Sequence, residues 1–268
     1  MTPAHRFPRR RRVVGPFSFL DSPTPLAFAH RGGAAVGDEN TATAFARAVD
    51  TGFRYLETDV HATRDGVAVL FHDDDLSRLA DDPRQVEDLR WSDLRSIRVD
   101  GQAAIPRLDE TLEQWPQVRF NLDVKTDASV SPTLDVVAAV GARDRVLIAS
   151  FSDRRLARVR ANSGPRLATS MGTGEIARLW AASRVGAGLV GFVPRAAAAQ
   201  VPLRRGPLRV VDRAFVSHAH RIGIQVHVWT IDDPDRMEQL LDLGVDGIMT
   251  DRIDILANVY RNRGHWPD

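Results

Sequence analysis

Eight short apolar runs, at 26–30, 54–60, 118–125, 146–151, 167–171, 197–201, 225–231 and 247–250, alternate with amphipathic segments along most of the chain. Apolar runs of this length read as strands, and amphipathic stretches between them read as crossover helices. Glycine closes several of the helical segments. The segment 41–50 ends at Gly52, 154–161 near Gly164, 213–221 at Gly223 and 234–243 at Gly244. A glycine there supplies the left-handed turn that sends the chain back to the sheet. Asp233-Pro234 adds a capping carboxylate and a proline in the first helical turn. The alternation predicts an α/β fold, a (β/α)8 TIM barrel, ahead of an open doubly wound sheet.

Two segments depart from the rhythm. Residues 57–63 and 67–72 flank Arg64-Asp65-Gly66 and read as a hairpin, so the barrel carries an insertion after its third strand. Residues 73–117 form that insertion, and its Asp73-Asp74-Asp75 and Asp81-Asp82 runs read as solvated surface. The domain itself is expected over 26–260. Residues 1–25 read as a flexible basic segment, because 1–12 hold five arginines and no acid. Such a tail permits at most peripheral contact with anionic lipid. It has neither the apolar core nor the small-residue cleavage site of a signal peptide, and a cytoplasmic protein is expected.

Composition narrows the chemistry. The chain has no cysteine, which excludes disulfides, thiolate metal sites and a cysteine nucleophile. The formal charge of +1 calls for no nucleic-acid partner. Of the 36 basic side chains, all but Lys125 are arginine. That lone lysine sits in a strand, where a compact ammonium and a planar guanidinium are not interchangeable.

Polar residues collect where apolar strands end. His30 and Arg31 close the first strand, Glu57 and Asp59 the second, Asp123 and Lys125 the third, Trp229 and Thr230 the seventh, and Thr250 and Asp251 the eighth. In a (β/α)8 barrel all these ends meet at one mouth. Glu57 and Asp59, two positions apart, share a face, as do Asp123 and Lys125. Folding the hairpin about Asp65-Gly66 pairs positions that sum to about 130, which returns His72 beside the two carboxylates. Carboxylates without cysteine suit a hard cation such as Mg²⁺ or Ca²⁺, with Zn²⁺ less suited. Arg31 and Lys125 beside such a cation would cradle a phosphate. Two histidines across it can act as general acid and general base. The expected reaction is metal-assisted cleavage of a phosphoester.

The same residues resemble those of the glycerophosphodiester phosphodiesterase family. The similar blocks are His30-Arg31-Gly32-Gly33, Glu39-Asn40-Thr41, Glu57-Thr58-Asp59-Val60, Thr63-Arg64-Asp65-Gly66, His72-Asp73, Ile105-Pro106-Arg107-Leu108, Asn121-Leu122-Asp123-Val124-Lys125, Ser150-Phe151, Val228-Trp229-Thr230 and Gly244-Val245-Asp246-Gly247. They run in order from about 26 to 256. The resemblance implies a divalent metal on Glu57, Asp59 and Asp123, with His30 and His72 as the acid–base pair. It implies Arg31 and Lys125 on the phosphate and Trp229 as an apolar wall. The implied reaction cleaves glycerophosphodiesters such as glycerophosphocholine to glycerol 3-phosphate and an alcohol. Asn40 is a further candidate at the phosphate. The family pattern has glutamate where this chain has Asp123, proline where it has Asp38, and Arg-Pro where it has Arg252-Ile253.

Rival readings remain at this level. A lysophospholipase D- or sphingomyelinase D-like enzyme would use the same mouth on acyl-bearing lipids and needs an apolar rim, for which 189–193 is the sequence candidate. A non-catalytic phosphate-binding barrel predicts missing histidines or acids, which are all present. Gly172-Thr173-Gly174-Glu175-Ile176-Ala177 matches a dinucleotide fingerprint, but no acid lies between Glu175 and Asp212 to hold a ribose. His227 in its apolar strand reads as a satisfied core histidine, and Gln200 as structural with a view of the pocket.

Overall fold

The computed structural model describes residues 17–185 and 195–266. Eight parallel strands form its centre: β1 (Leu26–Ala29), β2 (Tyr55–Ala62), β3 (Arg119–Val124), β4 (Val146–Ala149), β5 (Ala168–Thr169), β6 (Ala198–Pro202), β7 (Gln225–Trp229) and β8 (Gly247–Thr250). Their order around the sheet is β5-β4-β3-β2-β1-β8-β7-β6. The two ends meet through a parallel bridge between Ser170 and Ala198. Ala197 N donates to Thr169 O at 2.8 Å and Met171 N to Ala198 O at 2.9 Å across that seam. The sheet therefore closes into a barrel, as the alternation predicts. Each strand is followed by a helix: α1 (Ala42–Thr51), α2 (Leu108–Gln114), α3 (Val130–Ala139), α4 (Asp153–Ser163), α5 (Thr173–Val185), α6 (Arg213–Arg221), α7 (Pro234–Leu243) and α8 (Ile253–Asn262). Among the described residues no helix is long and apolar enough to cross a membrane.

Local chemistry explains the helix limits. Thr41 caps α1 by accepting from Ala44 N, and Gly52 ends it at φ +110°. Asp233 caps α7 by accepting from Arg236 N, with Pro234 in the first turn and Gly244 at φ +92° after the last. Gly172 and Gly174, the fingerprint-like glycines, have a packing role. A Cβ on either would sit within 3 Å of the Asp153 side chain. Asp153 instead accepts from the N–H groups of Gly174 and Glu175.

The core is layered. One cluster joins strands to helices and includes Leu56, Phe120, Ile148, Val226, Ile248 and Phe215. A second lies inside the barrel and includes Phe28, Tyr55, Leu147 and Met249. Phe19 belongs to this inner cluster and is 1% exposed. Its ring meets Tyr55 edge-on at 5.4 Å, and Tyr55 Oη donates to Phe19 O. Burying such a ring contributes about 2–3 kcal/mol. The expected flexible segment 1–25 thus includes a residue that plugs the barrel floor, while 1–16 lie outside the described residues.

β2 turns back through the predicted hairpin. Val60 pairs with Leu70, His61 with Val69 and Ala62 with Ala68, antiparallel. Phe71 N donates to Asp59 O at 3.1 Å, continuing the register that sums to 130. Alternate residues of the returning arm serve two layers: Ala68 and Leu70 join the barrel core, Val69 and Phe71 a separate cluster. That cluster contains Leu76, Leu79, Val86, Leu89, Leu94, Val99 and Ile105. The excursion after His72 therefore has its own apolar centre. Helix α2, inside the span 73–117, instead sends Leu108 and Leu112 into the barrel core.

Candidate active site

The strand ends gather around a cleft of about 200 Å³ lined by His30, Arg31, Glu57, Asp59, His72, Asp123, Lys125 and Trp229. A larger cleft of about 330 Å³ lies at the opposite end, between 21–27, Arg54, Arg119 and Trp266. None of the candidate residues line it, so the chemistry belongs to the smaller one.

The turn after β1 makes the first half of the site. Arg31 adopts φ +50°, ψ +29°, followed by Gly32 at φ +84° and Gly33 at φ +88°. The left-handed backbone aims Arg31 N at Glu57 Oε2, 3.0 Å away, and lets Arg31 O accept from Asn40 N at 2.9 Å. His30 Nδ1 donates to Asp251 Oδ1 at 2.8 Å, while its Nε2 lies 3.8 Å from Glu57. Burial opposes charge on His30, but Glu57 and Asp251 outweigh it and raise its pKa. His72 has the matching arrangement: its Nδ1 donates to Asp73 Oδ1 at 2.5 Å. A carboxylate on each Nδ1 leaves each Nε2 for other partners.

β2 and β3 supply the acids. Their parallel register sets Asp59 beside Asp123 and Glu57 beside Asn121. Lys125 Nζ lies 2.6 Å from Asp59 Oδ1 and 2.9 Å from Asp123 Oδ2. Burial opposes ionisation of Asp59, yet Lys125 and Arg31 hold its pKa below the usual carboxylate value. Burial likewise opposes the charge on Lys125, and Asp123 and Asp59 raise its pKa nonetheless. Among the described residues no lysine or arginine side chain forms an ion pair with Glu57, whose nearest cationic partner is His30 at 3.8 Å. Burial, and then Asp59, push its pKa up to about 7.

These observations test the expected metal. Three buried carboxylates present hard oxygen donors, and burial beside Asp59 leaves Glu57 favouring its neutral form. The donor set fits a hard divalent cation. Among the described residues no three such side chains are drawn around one point. The Lys125 ammonium stands between Asp59 and Asp123.

The other candidates take varied places. Arg31 Nη1 donates to Glu39 at 2.8 Å. Its Nε lies 3.2 Å from Asp59 Oδ2 but off the hydrogen-bond direction, so this buried N–H has no acceptor among the described residues. Asn40, expected at the phosphate, is 2% exposed with its amide spent on protein. Its Nδ2 donates to Asp59 Oδ2 at 3.0 Å, and its Oδ1 accepts from Thr58 Oγ1 at 2.7 Å. Trp229 lines the cleft and meets Phe151 edge-on at 5.8 Å, and Phe151 is 60% exposed. The apolar stretch 189–193, the expected lipid rim, lies outside the described residues. Below the acids, Gln200 Nε2 donates to Asn121 Oδ1 and faces His227 Nδ1 at 3.3 Å. Burial lowers the His227 pKa to about 4, so it is a neutral core histidine.

Sequence reasoning left three contributors unassigned. Asp251 was visible only as a strand-end acid. Asp73 belonged to a run read as solvated surface, yet it is paired to His72 and Arg78. Arg78 carried no signal, because its partner Glu39 is 39 residues away.

A closed barrel with paired histidines, carboxylates and two cations at one mouth is the arrangement of a barrel phosphodiesterase. A sequence profile of the Glycerophosphoryl diester phosphodiesterase family matches residues 30–255. The chain is 40% identical over 251 residues to the probable glycerophosphodiester phosphodiesterase 2 of Mycobacterium tuberculosis, covering 92% of this chain and 95% of that protein. It is 27% identical over 266 residues to the lysophospholipase D GDPD1 of Rattus norvegicus, covering 83% and 82%. Its fold is similar to that of an Oleispira antarctica phosphodiesterase solved with the product sn-glycerol-3-phosphate, with TM-score 0.74, 23% identity, and 89% and 97% coverage. The chain belongs to the glycerophosphoryl diester phosphodiesterase family, and it is a phosphoric diester hydrolase.

Proposed function

We propose that this enzyme hydrolyses glycerophosphodiesters, glycerophosphocholine among them, to glycerol 3-phosphate and the free alcohol. The observation that carries the reading is the pair of histidines, each tied at Nδ1 to a carboxylate and both lining one cleft with Arg31, Lys125 and three acids. The relatives' names point the same way. Glu57, Asp59 and Asp123 would hold a divalent cation, Mg²⁺ or Ca²⁺. When bound, the cation supplies Lewis-acid charge to a phosphate oxygen.

The protein's own groups do the rest. Arg31, whose buried Nε–H has no acceptor among the described residues, and Lys125 bind the non-bridging phosphate oxygens. Asn40 acts through Asp59 by fixing its carboxylate. Trp229 walls the organic side of the substrate. One histidine takes the proton from the attacking oxygen at Nε2, and the other gives a proton to the departing alkoxide. Asp251 and Asp73 hold the two rings and stabilise each imidazolium while it exists. The substrate is a small molecule in a cytoplasmic setting, with no nucleic acid involved.

The test is glycerol 3-phosphate release from glycerophosphocholine by wild type, His30→Ala and His72→Ala. Each substitution is expected to remove roughly 10²–10⁴-fold of turnover without loss of folding. Full activity in either variant contradicts the acid–base pair. Exposed Phe151 beside Trp229 favours a second reading, in which the alcohol carries an acyl chain. Lysophospholipid cleavage that Phe151→Ala weakens, with glycerophosphocholine turnover unchanged, would establish it.

A further inference from the structure

We infer that Arg78, on the insertion helix Ser77–Ala80, is a positioning residue that clips the loop carrying His30 and Arg31 to the strand end carrying His72. The inference rests on the proposed roles of His72 and Arg31. Arg78 Nε donates to Asp73 Oδ2 at 2.6 Å, and the other oxygen of Asp73 takes His72 Nδ1. Its Nη1 and Nη2 donate to the two oxygens of Glu39 at 3.1 and 2.7 Å. Glu39 Oε1 also accepts from Arg31 Nη1. The result is an alternating row of five groups: His72, Asp73, Arg78, Glu39 and Arg31.

The row needs a guanidinium. Its planar fork serves one carboxylate along the Nη edge and a second from Nε, whereas an ammonium is a single point charge. Burial opposes ionisation of Glu39, and Arg78 and Arg31 together hold its pKa low. The insertion's apolar cluster anchors the clip, since Leu76 and Leu79 on either side of Arg78 are buried in it. Without Arg78, Asp73 keeps only His72 and Glu39 keeps only Arg31 as side-chain partners among the described residues. Asp73 is then free to turn toward water, and the His72 ring loses its fixed edge. The insertion thus braces His72 and Arg31 from outside the barrel.

The experiment measures kcat and KM on glycerophosphocholine for wild type, Arg78→Ala, Arg78→Lys, His72→Ala and Arg84→Ala. Arg84 is the control, an exposed insertion arginine whose carboxylate partner is Asp82. Arg78→Ala is expected to lose on the order of ten- to a hundred-fold in kcat, with KM changed much less. Arg78→Lys should recover little, and added methylguanidinium should restore part of the Arg78→Ala turnover but none of the His72→Ala turnover. Wild-type kcat in Arg78→Ala, with His72→Ala inactive, overturns the clip. A loss in Arg78→Ala and Arg78→Lys that follows thermal stability and ignores methylguanidinium also overturns it, since that is a folding role. Activity in His72→Ala removes the underlying acid–base reading instead.

Discussion

Glu57 is the acid that the fold leaves least compensated, and replacing it with glutamine should stabilise the metal-free protein. In an unfolded chain its carboxyl titrates near 4.5, and in the fold near 7. The folded state therefore binds the Glu57 proton more tightly, and stability falls as pH rises from about 4.5 through 7. At about 1.4 kcal/mol per factor of ten, the ionised side chain costs roughly 3 kcal/mol above pH 7. Glu57→Gln keeps the shape and an oxygen to accept the Arg31 N–H, but carries no charge to bury. The assay is urea or thermal unfolding of both proteins in chelator at pH 5 and pH 8. At pH 5 the glutamine variant should lead by less than about 1 kcal/mol. At pH 8 the glutamine variant should lead by roughly 3 kcal/mol, on the order of 5–10 °C in Tm. Added Mg²⁺ or Ca²⁺ should close the gap by stabilising only the wild type. A glutamine variant that is less stable at pH 8, or a gap that ignores pH, would refute the reasoning.

Other outcomes follow from the same geometry. Lys125→Arg should lose at least about ten-fold in kcat/KM although charge is kept, because a wide fork replaces the ammonium between Asp59 and Asp123; full activity would make the lone lysine incidental. His227 should make the protein acid-labile: its folded pKa near 4 lies below the unfolded value of 6.5, so stability is intact above 6.5 and drains by roughly 3 kcal/mol as pH falls to 4. A His227→Asn variant should show a shallower loss over that window in denaturant titrations. Gly32→Ala should cost roughly 2–4 kcal/mol in thermal unfolding. Its φ is +84° and a Cβ would fall 2.8 Å from Ala44 Cβ.

Much of the architecture was legible because it depends on local periodicity. Eight apolar runs became eight strands, the glycine-closed segments became helices, and the Asp65-Gly66 turn fixed a register that the hairpin keeps. The site was legible in so far as strand ends meet at one mouth. What escaped depended on contacts between distant segments. Asp73 looks like one of three solvated acids until Arg78 and His72 are seen to hold it. Asn40 stands in a motif near the phosphate-binding arginine, yet a left-handed backbone at φ +58° accompanies an amide turned inward to Asp59 and Thr58. Asp251 reaches His30 only because β8 pairs with β1. That three acids line one cleft was foreseeable from alternation. The lysine standing between two of them depends on where a four-carbon stem folds back, which spacing does not encode.

The most direct measurement is release of glycerol 3-phosphate from glycerophosphocholine by the wild-type enzyme, with Mg²⁺ or Ca²⁺ and then with a chelator, beside His72→Ala under the same conditions. Metal-dependent release by wild type and none by His72→Ala is the expected result. Equal release by the two proteins, or release indifferent to the chelator, would contradict the account of this site.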